Sequence, residues 1–186
     1  AAHIYLSLQS VVAREVAAQD PCVLTIGKFS GGQAPNIIPE KVVMEGTIRY
    51  KERETGTRVF ERIRQISNLC ARSFGGNAVV TEIASAPPLI NNEEMLYAFS
   101  DAVKQFDGVK PFVILPQGGM GSEDFASFSY EVPSAYLLLG AGSPQENEAY
   151  GKPMHNPAVV FNEDILSLGS AVYAACAIHW LKNPKF

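Results

Sequence analysis

Apolar side chains near the start of the chain repeat with the spacing of an α-helix. Ile4, Leu8, Val11 and Val12 fall on one stripe, so the pattern predicts a helix over residues 1–18. No capping residue precedes this helix, and no initiator Met opens the chain. We therefore expect the chain to be one part of a longer protein.

The pattern changes to that of strands after Pro21, because the residue before a proline is disfavoured in a helix. Residues 22–29 and 41–50 predict two antiparallel strands joined by a loop that contains glycine and proline. A helix over 56–73 and a third strand over 77–84 follow. The order helix-strand-strand-helix-strand is that of a ferredoxin-like βαββαβ domain whose first strand is missing.

The remaining residues predict the end of an α/β domain. Asn92 should cap a helix, and Asn162 should cap a long final helix that has acidic residues in its first turn. The short apolar runs at 112–115 and 135–139 are typical of strands that are buried on both faces.

A boundary at Pro87-Pro88 divides the chain into two predicted domains. Residues 1–86 form the ferredoxin-like domain, which is incomplete at its N-terminus, and residues 87–186 form the C-terminal portion of an α/β domain. The second domain has few strands of its own, so we expect it to complete a sheet begun elsewhere in the protein. The predicted fold class is therefore α+β followed by α/β.

Composition excludes several classes of function. Apolar residues make up 47% of the chain and charged residues 18%, so a core can form. The net charge is −4 and the basic residues are scattered, which argues against nucleic-acid binding. No apolar run approaches the ~20 residues that span a bilayer, so we expect no membrane partner. Three widely spaced cysteines without a C-x-x-C motif predict core thiols in a cytoplasmic protein.

The first candidate site combines a glycine- and proline-containing loop with the strand that follows it. Asn36 lies in the loop and can offer an amide donor to an oxyanion. Arg49 lies on the strand and can clamp a carboxylate with two parallel hydrogen bonds. Taken alone, Asn36 can equally cap a turn, and Arg49 can be a solvated strand residue.

The second candidate site is a glycine-rich run before an acidic pair. It predicts a tight loop and a short helix with Ser122 at the N-cap and Glu123 and Asp124 in the first turn. Neither the phosphate-loop pattern nor the G-x-S-x-G nucleophile elbow is present in this run. The two acids can support a neighbouring site, or they can only complement the helix dipole.

The third candidate is His155, which lies between Pro153 and Pro157 just before the final helix. Neutral imidazole is a common zinc ligand, and a rigid loop would hold the ring against a metal. One histidine does not make a metal site, and His3 and His179 lie in predicted helices where surface or core-edge roles are expected. We therefore do not expect a complete zinc site within this chain alone.

These three segments, in this order, resemble the zinc-dependent aminoacylase, hippurate hydrolase and auxin-conjugate hydrolase group of metallopeptidases, which includes carboxypeptidase-type relatives. The resemblance runs from about residue 1 to about residue 181, and the opening segment looks like the first lid helix of this group. The matching motifs are Asn36-Ile37-Ile38-Pro39, Gly46-Thr47-Ile48-Arg49, Met120 to Phe125 and His155-Asn156-Pro157.

The resemblance implies a catalytic α/β domain that holds one or two divalent metals, and an inserted ferredoxin-like lid that dimerises. It makes His155 a metal ligand. It makes Asn36 and Arg49 lid residues that contact the carbonyl or carboxylate of the substrate, often across the dimer. Glu123 and Asp124 would be supporting residues in a loop near the metals. The implied metal is zinc, with manganese or cobalt as alternatives.

The implied activity is hydrolysis of the amide bond of N-acyl amino acids or small peptides by a homodimer. The other ligands and the glutamate general base of the group match no segment of this sequence. The resemblance therefore implies that this chain is inactive alone and supplies one metal ligand and a substrate-binding lid. The alternative is a non-catalytic ligand-binding or dimerisation module, which degenerate metal motifs elsewhere in the protein would favour.

Overall fold

The computed structural model describes residues 1–104, 106 and 118–183. They divide into two compact units, and each is described by itself. The first unit comprises the described residues of Ala1–Pro88 and Gln117–Ala126, and the second comprises those of Leu89–Pro116 and Ser127–Phe186. The glycine-rich loop thus belongs to the first unit, whereas the division into domains at residue 86 stays a prediction.

Helices and strands are mixed in the first unit, in the order that the sequence predicts as far as the second helix. Its elements are α1 (Ala2–Ser10), a π-helical turn (Val11–Glu15), β1 (Cys22–Gly31), β2 (Val42–Tyr50) and α2 (Arg53–Ser73). The described residues of the second unit are helical or irregular, and a 3-10 turn (Asp124–Ser127) leads into it. Its elements are α3 (Glu93–Val103), α4 (Phe128–Glu131), a 3-10 turn (Glu148–Gly151) and α5 (Ile165–Lys182).

The predicted strand pair is confirmed as an antiparallel two-stranded sheet. Cys22 lies opposite Tyr50 at the open end of the hairpin, and Gly31 lies opposite Val42 at the loop end. Side chains of β1 alternate between partly buried and exposed over its first half, as expected for a strand with one face on a core. Position 49 therefore lies far from the connecting loop.

The glycine of the G-T-I-R motif has a structural role in this hairpin. A β-bulge interrupts the register between Ile26 and Lys28, opposite Gly46. A Cβ atom at Gly46 would lie 2.2 Å from the carbonyl oxygen of Thr25. No side chain fits at that distance, so the backbone requires glycine here independently of any substrate.

The core of the first unit lies between the two helices and one face of the hairpin. Ile4, Leu8 and Val11 from α1 and the π-helical turn meet Val59 and Ile63 from α2 in one buried cluster. The partly buried side chains that pack against this cluster include several from the sheet, namely Leu24, Ile26, Met44 and Ile48. Burial of this shared apolar surface is the main stabilising term of the unit.

We expect Leu8→Ala to lower the free energy of unfolding by roughly 2–5 kcal/mol, because it removes a side chain that is only 2% exposed and leaves a cavity. The matched control is Leu6→Ala on the same helix, where the side chain is 65% exposed and the change should stay within about 0.5 kcal/mol. Urea unfolding of both variants measures the difference. Equal losses would show that α1 does not pack as described.

The predicted third strand is not formed, since residues 77–84 have no strand pairing in the described structure. Ala78 and Val80 nevertheless pack against the core cluster, while Val79 is 84% exposed. A strand needs a neighbouring backbone, and in the split βαβ order the last strand pairs with the first strand of the fold. No described residue supplies that first strand, which explains why the alternation of side chains is present without a ladder.

The second unit keeps the predicted helices with small shifts at their ends. Asn92 caps α3, and its side chain accepts a hydrogen bond from the backbone N–H of Met95, as predicted. The final helix begins at Ile165, later than predicted, because the Asn162 side chain accepts from the N–H of Asp164 and forms a turn before the helix. This turn precedes a helix whose first residues have no side-chain cap.

The two predicted buried strands of the second unit are not seen as strands. Residues 112–115 lie outside the described residues, and residues 135–139 have no strand pairing among those described. The Asn91 side chain instead donates to the carbonyl of Tyr136 at 3.1 Å and accepts from its N–H at 2.6 Å. One side-chain amide therefore satisfies backbone groups that a neighbouring strand would otherwise pair.

Helix α5 is long and apolar enough to cross a membrane by length and composition alone. Gly169, Ser170 and His179 interrupt its apolar residues, so the helix contains no continuous apolar run of that length. A single helix of this kind is a weak indication, and the expectation of no membrane partner stays a prediction. Most side chains of α5 are partly or fully exposed in the described structure, and Cys176 is buried.

Candidate functional site

Arg49 lies on the face of β2 that points away from the helical core. Its neighbours Ile48 and Tyr50 are partly buried, and Arg49 lies opposite Val23, which is 45% exposed. The Nη1 atom of Arg49 donates to the carbonyl oxygen of Met120 at 2.5 Å. Two of the predicted motifs, G-T-I-R and M-G-S-E-D-F, are therefore in direct contact within the first unit.

Asn36 lies in the exposed loop that joins β1 to β2, in a turn closed by the N–H of Ile37 donating to the carbonyl of Ala34 at 3.2 Å. Arg49 is seven residues beyond the start of β2, which corresponds to roughly 24 Å of strand. No hydrogen bond joins Asn36 to Arg49 among the described residues.

The loop before the acidic pair differs from the prediction at its helix start. Ser122 is not an N-cap, because the 3-10 turn begins at Asp124, and the N–H of Phe125 donates to the Oε1 atom of Glu123 at 3.2 Å. Glu123 thus takes the role that was predicted for Ser122, since its longer side chain can curl back onto the turn. Asp124 is exposed, and Ala126 is fully buried, which anchors the end of the loop.

His155 has a left-handed backbone conformation, with φ of 68°. It is the one residue other than glycine with a positive φ in the described part of the chain, and such residues concentrate at functional sites. A hydrogen bond at 3.1 Å from the N–H of Asn156 to the carbonyl of Pro153 closes the turn around it. The ring is exposed and makes no hydrogen bond to any described residue.

The described residues contain no group of three or more side chains that could hold a metal ion together. The exposed imidazole of His155 fits the role of a single ligand, because neither ring nitrogen forms a hydrogen bond with a described residue. The residues described here do not by themselves form a metal site. A complete site would need ligands from other residues of the protein.

Two of the three cysteine thiols have a raised pKa. Burial raises the pKa of the Cys22 thiol, and the nearby Asp20 carboxylate raises it further, while Arg58 opposes the shift. Burial also raises the pKa of the Cys176 thiol. Reactive cysteines need a lowered pKa, so these two thiols fit the predicted role of core residues.

Sequence reasoning missed two polar contacts that depend on tertiary structure. One is the Met120 carbonyl, which is a backbone atom and has no sequence signal. The other is the Asp20 carboxylate, which accepts a hydrogen bond from the Thr55 hydroxyl in the first turn of α2. The second oxygen of Asp20 is buried without a partner among the described residues. The adjacent Asp20-Pro21 pair indicated only that the first helix stops.

Comparisons with known proteins place these features in a family. Residues 11–179 match peptidase family M20/M25/M40. An IAA-amino acid hydrolase of Arabidopsis thaliana is 34% identical over 98% of this chain and 41% of its own length. A hippurate hydrolase of Campylobacter jejuni is 31% identical over 96% of this chain and 45% of its own length.

The fold is shared with a solved structure. A Bacillus subtilis protein described as a dinuclear metal-binding peptidase of the M20 family aligns with a TM-score of 0.73, covering 98% of this chain and 45% of that chain, at 24% identity. The chain spans less than half the length of the relatives that it matches. The mixed helix and sheet structure is thus a fragment of that fold, and the chain belongs to peptidase family M20/M25/M40.

Proposed function

We propose that the full-length protein hydrolyses the amide bond of N-acyl amino acids or small peptides, with this chain supplying His155 as a metal ligand and a lid that binds substrate. The observation that carries this proposal is the exposed imidazole of His155, held in a left-handed backbone conformation between two prolines. Such a conformation costs free energy, so it persists because the surrounding turn holds the backbone in place.

The relatives give the proposal its substrate class. Two of them are named as hydrolases of hippurate and of auxin-amino acid conjugates, both of which join an acyl group to an amino acid that keeps its carboxylate. Arg49 presents a guanidinium on the outer face of β2 and forms no ion pair with any described residue. A fixed cation of this kind suits a free carboxylate, so Arg49 is the proposed clamp.

The metal and the other candidate residues have separate proposed roles in the reaction. A divalent ion, when bound, would act as a Lewis acid that polarises the scissile carbonyl and activates the attacking water. Asn36 would donate an amide hydrogen to the developing oxyanion, and the loop with Glu123 and Asp124 would support the site. Zinc is the proposed metal, with manganese or cobalt as alternatives and one or two ions per site.

The distance between Asn36 and Arg49 along the hairpin favours a homodimer. Asn36 lies in the loop at one end of the hairpin and Arg49 lies near its other end, so we propose that Asn36 serves the site of the partner subunit. We propose that the lid forms this dimer interface. The proposed location is the cytoplasm, in keeping with three cysteines that are all free thiols.

We expect the full-length protein to release glycine from N-benzoylglycine and to lose at least about 95% of this activity after chelation and dialysis, because the metal provides the Lewis acid. Zinc, manganese or cobalt should restore it. The measurement is the rate of glycine release before chelation, after it and after each metal is added back. Activity that survives complete metal removal would contradict the proposal, and metal-independent binding without hydrolysis would favour the non-catalytic module.

A further inference from the structure

The guanidinium of Arg49 is engaged through one of its two hydrogen-bonding edges. Its Nη1 atom donates to the Met120 carbonyl at 2.5 Å, and no other hydrogen bond joins it to a described residue. The opposite edge, formed by the Nε and Nη2 atoms, is left for another acceptor. That edge carries two parallel N–H groups with the spacing of a carboxylate.

Arg62 uses its two guanidinium edges in the same way, and both edges form hydrogen bonds. Its Nε and Nη2 atoms donate to the two carboxylate oxygens of Glu15 at 2.5 and 2.9 Å, and its Nη1 atom donates to the amide oxygen of Gln65 at 2.7 Å. One guanidinium in this protein can therefore hold a carboxylate and a neutral oxygen at once. The Met120 carbonyl corresponds to the neutral oxygen of Gln65.

The Met120 carbonyl lies in a loop that has few other anchors at its start. Glycines at 118, 119 and 121 flank it, and a Cβ atom added at any of the three would meet no close neighbour outside the loop. Ala126, which is fully buried, fixes the other end. A contact between residues 71 positions apart therefore sets where the first half of this loop lies.

We propose that Arg49 positions the 118–126 loop through its Nη1 atom while its Nε–Nη2 edge binds the substrate carboxylate, so that one side chain couples substrate binding to loop position. The carboxylate half of this inference rests on the proposed function. The loop half rests on the hydrogen bond to Met120 alone. Arg49 is thus a positioning residue for Ser122, Glu123 and Asp124 as well as a binding residue.

Hydrogen exchange of the full-length protein tests the loop half without any substrate. In Arg49→Ala, amide hydrogens of residues 118–126 should exchange roughly tenfold faster, because the loop loses its charge-assisted anchor. The matched control is Lys28→Ala, which removes an exposed ion pair with Glu45 from the same hairpin and should leave loop exchange unchanged. Unchanged exchange in Arg49→Ala, or equal acceleration in both variants, would overturn the loop half.

Kinetics with two substrates separate the two roles. For N-benzoylglycine, Arg49→Ala should raise KM and lower kcat, whereas for N-benzoylglycinamide, which has no carboxylate, it should lower kcat with KM unchanged. Faster loop exchange with an unchanged KM for the acid would overturn the carboxylate half, while the proposed metal-dependent hydrolysis would still stand.

Arg49→Lys tests whether two separate edges are needed. Lysine keeps the positive charge but carries a single nitrogen, so it should only partly restore the KM for N-benzoylglycine and the protection of the loop. Full restoration of both by lysine would show that charge alone is sufficient, and it would overturn the two-edge arrangement.

Discussion

Replacing His155 with alanine is expected to remove about one metal ion per chain from the full-length protein and to abolish most of its hydrolytic activity. Loss of an outer-shell partner alone costs roughly 10–100-fold in metal affinity, and loss of a direct ligand should cost more. The measurement is metal content by mass spectrometry after dialysis against metal-free buffer. Full metal occupancy in His155→Ala would remove this residue from the metal site.

Two further variants separate the ligand from the backbone. His155→Gly should bind metal as poorly as His155→Ala, yet in the metal-free state it should be more stable by about 1 kcal/mol, because glycine adopts a φ of 68° without strain. His3→Ala is the matched histidine control. The His3 ring is in tilted contact with the Phe74 ring, with centroids 4.9 Å apart, so we expect its replacement to leave the metal content unchanged.

Replacing Arg49 with alanine is expected to lower kcat/KM for N-benzoylglycine by about 100-fold. Hydrogen bonds to a charged group contribute roughly 1.5–3 kcal/mol, and each 1.4 kcal/mol corresponds to about tenfold. For N-benzoylglycinamide the fall should be tenfold or less, because only the loop contact with Met120 is lost. Steady-state kinetics on both substrates measure the difference.

The control for this prediction is Arg62→Ala, which removes a guanidinium already committed to Glu15. It should leave kcat/KM unchanged for both substrates. The hydrogen bond from Arg62 lowers the pKa of the Glu15 carboxyl. The small contribution of this exposed pair to the stability of the fold is therefore complete above the ordinary pKa of a glutamate, and it is lost as the pH falls through the lowered pKa of Glu15. An equal loss of activity in Arg49→Ala for acid and amide substrates would contradict the carboxylate clamp.

The sequence by itself determined the elements whose signals are local. The hairpin followed from two β-rich runs around a glycine and proline loop, and its register is set by side-chain alternation. The α3 cap followed from Asn92, whose short polar side chain reaches the N–H of Met95. The end of α2 is also a local feature, because Gly75 adopts a φ of 75° just after the last turn.

The motifs that the resemblance rests on were also readable from the sequence, because each is a short run of consecutive residues. They were sufficient to indicate the family to which the chain belongs. Their roles could not be tested in the same way, since the sequence does not distinguish a lone histidine or arginine that binds a ligand from one that faces solvent.

Tertiary structure alone decided which of these residues meet. It joined Arg49 to the Met120 carbonyl across 71 positions, and it separated Asn36 from Arg49 along the hairpin. It left residues 77–84 without the ladder that their alternation predicts. A strand and a ligand site both need partners that are distant in sequence, and no periodicity or cap within a segment specifies those partners.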